Sequence, residues 1–147
     1  MTALVLAFAL TVTAPVPKDE LAFQRRVDAA REKAIKYLRV AQDKDGGWEA
    51  EGLKSLADME GGATALAVVG LLEAGVKPDD PAITKAVEYL LKLKPTRTYV
   101  VSLRARALAG ADPRKYAKEI QADADWLLGK ALRRNGKLAG WSYPGND

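Results

Sequence analysis

The 147 residues contain neither cysteine nor histidine, and these two absences decide more chemistry than any motif present. Zinc and most transition metals are held by thiolate or imidazole, so a structural or catalytic zinc site has no ligands of the kind it needs. Disulfides cannot form, and no cysteine nucleophile and no Ser-His or Cys-His dyad can be assembled. A carboxylate-only site for magnesium or calcium is left open. An excess of either charge is also lacking: 23 basic and 19 acidic residues leave a net charge of only +4, spread along the chain. That distribution reads as solvated helix faces and not as a nucleic-acid footprint. β-Branched runs are few, and Gly and Pro come only at intervals. What is plentiful is Ala and Leu, and 48% hydrophobic content is enough to bury one core. The fold class expected is all-α, helices joined by short turns.

Residues Ala3 to Val12 form an uncharged apolar run, followed by small residues and a polar stretch from Pro17 to Glu20. At this length the run is too short for a bilayer span, which needs roughly 20 residues, so no stable membrane span is expected. It fits the apolar part of a secretory signal. The expected division is therefore a signal peptide over residues 1–17 and a domain over 18–147. The domain would be exported, periplasmic or extracellular; without a signal it would be cytoplasmic, and the run would pack on the domain as a first strand or helix.

From about Leu21 the pattern is helical, with Val27, Ala30, Ala34, Tyr37, Leu38 and Ala41 on one face, and predicts a half-exposed helix ending at the Asp43 to Gly47 turn. Glu49 to Glu60, with Gly52 inside it, reads as a loop or a short extra turn. Ala63 to Ala74 is apolar on nearly every side and is expected to be buried all round, with Gly75 as its C-terminal cap. Asp80-Pro81 supplies an N-cap and a first-turn proline. The following stripe, Ile83, Ala86, Val87, Leu90 and Leu91, predicts a second half-exposed helix, stopped by Pro95. Tyr99 to Ala109 is again mostly apolar and closed by Gly110. Asp112-Pro113 repeats the cap signal before a long helix, with Tyr116, Ile120, Ala124, Leu127, Leu128 and Ala131 on one face, ending near Asn135-Gly136. Leu138 to Asp147 reads as a loop with a second Gly-Trp pair.

The order is thus amphipathic, buried, amphipathic, buried, amphipathic, and the punctuation recurs. Pro81 and Pro113 lie 32 residues apart, Gly75 and Gly110 lie 35 apart, and Tyr89 and Trp126 lie 37 apart. Two helices per period of this length indicate a helical repeat array. An aromatic-Leu pair, Tyr37-Leu38, leads to Gln42 and then to Gly47-Trp48. Later copies are eroded: Tyr89 and Leu90 lead to Tyr99, while Trp126 and Leu127 lead to Gly140 and Trp141. The motif resembles the Gln-Trp repeat of the terpenoid cyclase and protein prenyltransferase superfamily, over roughly Ala29 to Asp147. The resemblance implies an α/α toroid, here partial, about two and a half helical-hairpin repeats. A glutamine lying on the tryptophan face would bond unpaired backbone at helix ends and clamp an outer helix to the turn leading inward.

The resemblance implies activity only where catalytic positions are matched. The prenyltransferase branch holds zinc with Asp, Cys and His, and the complement-like branch uses a Cys-Gln thioester; neither can be built here. The triterpene cyclase branch uses a D-x-D-D acid, and the nearest string, Asp123-Ala124-Asp125-Trp126, lacks a third Asp and reads as two solvated carboxylates on an outer helix. No catalytic, cofactor or metal residue is assigned. The expected function is a non-catalytic or incomplete repeat domain acting in binding or assembly. An open array leaves apolar end faces, so a second chain or further C-terminal repeats would close it, and an apolar or isoprenoid ligand could occupy it. The alternative is the N-terminal part of a squalene-hopene-type cyclase-like enzyme whose catalytic acid lies beyond Asp147.

Overall fold

A computed structural model describes residues 18–49 and 59–142. The apolar run at residues 3–12, the division at residue 17 and most of the 49–60 loop lie outside the described residues. Among the described residues there are five helices, α1 (Lys18–Ala41), α2 (Gly62–Glu73), α3 (Pro81–Lys92), α4 (Thr98–Ala111) and α5 (Ala117–Gly129), then a two-stranded antiparallel hairpin, β1 (Leu132–Arg134) and β2 (Lys137–Gly140). The fold is all-α apart from that hairpin, and none of these helices is long and apolar enough to cross a membrane.

Local chemistry explains most boundaries. Asp19 and Glu20 in the first turn of α1 and Arg39 in its last turn complement the helix dipole. Helix α2 stops where Gly75, at φ +88, donates to the Leu72 carbonyl at 2.9 Å and Val76 donates to Leu71 at 3.0 Å. That double bond is a Schellman closure, with Val76 turned into the core. Asp80 caps α3 as the sequence implies, its Oδ1 accepting from the Ala82 N–H at 2.9 Å. Helix α4 does not close at Gly110; it runs through to Ala111. A methyl group on Gly110 would lie 2.9 Å from Leu72 Cδ1, so this glycine permits close approach of α4 to α2 and is not a stop. Asp112 accepts from the N–H groups of Arg114 and Lys115 in a turn, one step before α5 begins at Ala117.

The long third amphipathic helix ends at Gly129, short of its expected limit. Asn135 and Gly136, at φ 52 and 75, form the two-residue turn of a hairpin, the left-handed pair that a type I′ turn requires. The hairpin brings Trp141 back against α5.

Helix α2 packs against α3 and α4, and α4 against α5. Ala65, Val68 and Leu71 of α2, Ile83, Ala86, Val87 and Leu90 of α3, and Ala107 and Leu108 of α4 form the core. Two expected burial patterns do not hold. In α2 one face is buried, but Leu66 is 51% exposed, so the helix is not covered all round. In α1 only Ile35 and Leu38 reach the core; Val27, Ala30, Ala34, Tyr37 and Ala41 are exposed, Tyr37 by 70%. The apolar periodicity is real, but no described element covers it. In α3, Tyr89 is buried and Leu91 is exposed, which turns the stripe toward Gly47 in the turn after α1.

Candidate functional site

Three helices meet at the turn after α1. Gly46 occupies φ +98, and a Cβ there would sit 2.5 Å from the Lys85 carbonyl oxygen, so only glycine lets the turn lie on α3. The Gln42 side-chain amide donates to the Gly46 carbonyl and to the Ala82 carbonyl in the first turn of α3, each at 2.9 Å. Arg39 adds an ion pair to the outer oxygen of Asp80 at 2.7 Å. Gln42 thus links α1 to the next amphipathic helix, α3. Trp48 makes the inward link: its backbone N–H donates to Thr64 Oγ1 of α2 at 2.9 Å, while its indole N–H reaches back to the Leu38 carbonyl at 2.8 Å.

Two acidic residues complete this cluster, and neither stands out in the sequence. Glu49 is 7% exposed and its Oε1 accepts from Gly61 N–H at 3.1 Å, Thr64 N–H at 3.2 Å and Thr64 Oγ1 at 2.8 Å. Gly61 is the N-cap of α2 and has no side chain to offer, so Glu49 serves that helix end from another segment. Glu60 accepts from the Tyr89 hydroxyl at 3.1 Å. Burial first, then that bond to a carboxylate, pushes the Tyr89 phenol well above its ordinary range. A phenol so held is a donor and a strut, not a base. The Tyr89 ring also lies against Gly47, where a Cβ would come within 3.2 Å of Cζ.

A second group of the expected residues lies at the far end, where the Trp141 indole donates to the Leu127 carbonyl at 2.7 Å. Trp126 and Leu127 are half-buried, and Gly140 sits between hairpin and indole at φ 143. Leu90 is fully buried in the core, and Tyr99 packs on the start of α2, against Gly62. So Leu38, Gln42, Gly47, Trp48 and Tyr89 come together, Trp126, Leu127, Gly140 and Trp141 form a separate cluster, and Tyr37 stands out in solvent. Asp123 is not a solvated carboxylate: it is 2% exposed and accepts from Arg104 Nη2 and from Arg104 Nε, the latter at 3.0 Å. Arg104 also donates to the Leu93 carbonyl at 2.8 Å, joining α3, α4 and α5. An arginine inside an apolar helix was the available signal, since a buried guanidinium needs a carboxylate. Asp125, by contrast, is exposed and accepts from Gln121.

Beside the clamp lies a groove of about 500 Å³, walled by Tyr37, Leu38, Ala41 and Trp48 on one side and by Ala63, Leu66 and Ala67 of α2 on the other. Asp43 and Glu49 mark its polar end. A larger hollow of about 620 Å³ separates α1 from the turn before α3, but Glu32, Lys36, Arg39, Lys77, Asp79 and Asp80 give it mixed charge. Among the described residues no three carboxylates converge as metal ligands would. Glu49 is occupied with the start of α2 and Glu60 with the Tyr89 hydroxyl, while Asp43 is an exposed carboxylate at the end of the groove.

The fold and this geometry define an all-α domain whose helices are clamped by tryptophan and glutamine side chains. No protein-family model matches the chain, and no curated protein or solved structure gives a significant match.

Proposed function

We propose that this chain is a non-catalytic helical repeat domain of the α/α-toroid type, partial in extent, that acts in binding or assembly. The observation that carries this reading is a contact that occurs twice. Trp48 and Trp141 each donate an indole hydrogen bond to the carbonyl of the leucine in an aromatic-Leu pair, Leu38 at 2.8 Å and Leu127 at 2.7 Å. Both carbonyls lie in the last turn of a helix, where acceptors are unpaired, and that each belongs to the leucine of an aromatic-Leu pair is what two copies of one structural unit account for. The middle copy supports the reading with altered chemistry: Tyr99 packs at the start of α2, and Arg104 takes up the Leu93 carbonyl near the end of α3. Binding fits better than catalysis because the walls of the groove beside the clamp are apolar, Glu49 is spent on the start of α2, and Asp43 is a lone exposed carboxylate at its end. Its volume suits a short isoprenoid or an apolar peptide face.

Titrating farnesol into the full chain while following tryptophan fluorescence tests this directly, since Trp48 lines the groove. Saturable quenching that Leu66→Glu abolishes is the expected result. Cyclised product from squalene, or diphosphate release from a prenyl diphosphate, with the purified chain would refute it and favour the cyclase-like reading.

A further inference from the structure

The exposed face of α1 is not a random scatter of apolar residues. Phe23, Val27, Ala30, Ala34, Tyr37 and Ala41 are spaced by four, three, four, three and four residues, and all six are exposed. That alternation is the a/d seam of a heptad repeat, and over α1 it makes a straight strip of about 27 Å at 1.5 Å per residue. Glu20 breaks the pattern one heptad before Val27. At its other end the strip runs into the groove between α1 and α2, where Leu66 stands open opposite Tyr37. Phe23 and Tyr37 stand at either side of the small stretch Ala30 and Ala34, which leaves room there for the knobs of a facing helix.

The flanking positions select the partner. With Val27, Ala34 and Ala41 at a and Phe23, Ala30 and Tyr37 at d, the g positions are Arg26, Lys33 and Val40 and the e positions are Gln24, Arg31 and Leu38, so the rim is basic from Arg26 to Lys33 and apolar where the strip meets the groove. Arg31 is partly met by Asp28 at 3.1 Å, and Arg26 and Lys33 are exposed. A second copy of the chain, parallel or antiparallel, would set this basic rim against its own like. The chain's own residues 1–17 carry no charge to meet it. We infer that the α1 seam and the adjoining α1–α2 groove are a docking surface for an amphipathic helix of another protein, apolar at a and d and acidic at e and g. The inference rests on the binding reading above and gives it a partner chemistry.

Fluorescence anisotropy of two labelled three-heptad peptides against the full chain tests it, both with Leu at a and d, one with Glu and the other with Lys at e and g. The Glu peptide repels itself and stays free to bind. It is expected to bind at least about tenfold more tightly than the Lys peptide, and to weaken as NaCl rises from about 50 to about 500 mM. Ala34→Glu, at an exposed position, is expected to abolish binding with an unchanged melting curve. Charge reversal by Arg26→Glu with Lys33→Glu is expected to invert the preference. Equal binding of the two peptides overturns the inference, since the acidic flanks are part of it. Failure of both peptides while farnesol still binds overturns the inference alone, and failure of all three overturns the binding reading as well. Concentration-dependent dimers lost on Ala34→Glu, or binding to vesicles about one quarter phosphatidylserine without peptide binding, would assign the face to a second copy or to a membrane and overturn the inference.

Discussion

Replacing Glu49 with alanine takes away one oxygen on which three buried donors at the start of α2 depend: the N–H groups of Gly61 and Thr64 and the Thr64 hydroxyl. Hydrogen bonds to a charged acceptor contribute about 1.5–3 kcal/mol each, but three that share one oxygen do not add. The loss of a helix cap alone is about 1 kcal/mol. Stranding donors that no water reaches adds about 1–3 kcal/mol. The expected total is about 3–5 kcal/mol. Glu49→Gln keeps a carbonyl acceptor at the same place and loses only the charge, so about 1–2 kcal/mol is expected. Urea unfolding followed by circular dichroism reads both. With an m value of about 2 kcal/mol per M, Glu49→Ala lowers the midpoint by about 2 M and Glu49→Gln by less than about 1 M. Thr64 Oγ1 also accepts from Trp48, so a double-mutant cycle of Glu49→Ala with Thr64→Val is expected to show coupling of about 1 kcal/mol or more. A midpoint change below about 0.5 M for Glu49→Ala, or strict additivity in the cycle, would refute the claim that this carboxylate organises the clamp.

Other perturbations test separate parts of the account. Arg104→Met leaves Asp123 buried and unpaired and is expected to cost about 3–5 kcal/mol, whereas Arg104→Met with Asp123→Leu recovers most of it in the same urea titration. Gly46→Ala combines a left-handed φ with a Cβ 2.5 Å from a carbonyl oxygen and is expected to lower stability by more than about 2 kcal/mol; Gly75→Ala has the same strain but open space around it, so about 1 kcal/mol is expected. The Tyr89 phenol has its folded pKa raised, so its contribution is complete below the unfolded value of about 10 and is lost as pH rises above it. The stability difference between the native chain and Tyr89→Phe is therefore expected to be constant up to about pH 10 and then to fall by about 1.4 kcal/mol per pH unit, measured by urea titration along a pH series.

The signals that served best were those whose chemistry is completed within a few residues. Asp80-Pro81 specifies a capped helix start because the carboxylate needs only the N–H two residues on, and Gly75 specifies a stop because the left-handed φ is its own local requirement. The Gln42 to Trp48 spacing accounts only for the short bonds, to Gly46 and Leu38; the bonds that join helices, Gln42 to Ala82 of α3 and Trp48 to Thr64 of α2, have distant partners that the motif does not specify. Contacts whose partner is distant leave no local mark in the sequence. Periodicity reports that α1 and α2 have apolar faces but says nothing of what covers them, and here Tyr37 and Leu66 are left open. Glu49 and Glu60 sit in a polar stretch that reads as loop, and only the fold brings their acceptors to Thr64 and Tyr89. Asn135-Gly136 was legible in principle, as a left-handed pair between short runs, but the helical pattern from Tyr116 to Ala131 carried the reading past Gly129.

Because the chain has no cysteine, a single introduced thiol reports its own position without background, and this gives the most direct test of the open α1 face. Val27→Cys and Ala34→Cys, each alone in the full chain, are expected to react with a thiol reagent at the rate of a free thiol. Val100→Cys, at a position 1% exposed, is expected to react only as fast as the protein unfolds. Addition of the Glu-flanked helix is expected to slow the first two and leave the third unchanged. Protection of the Val27→Cys and Ala34→Cys thiols in the chain alone would contradict the account, since it would mean that the seam is already covered.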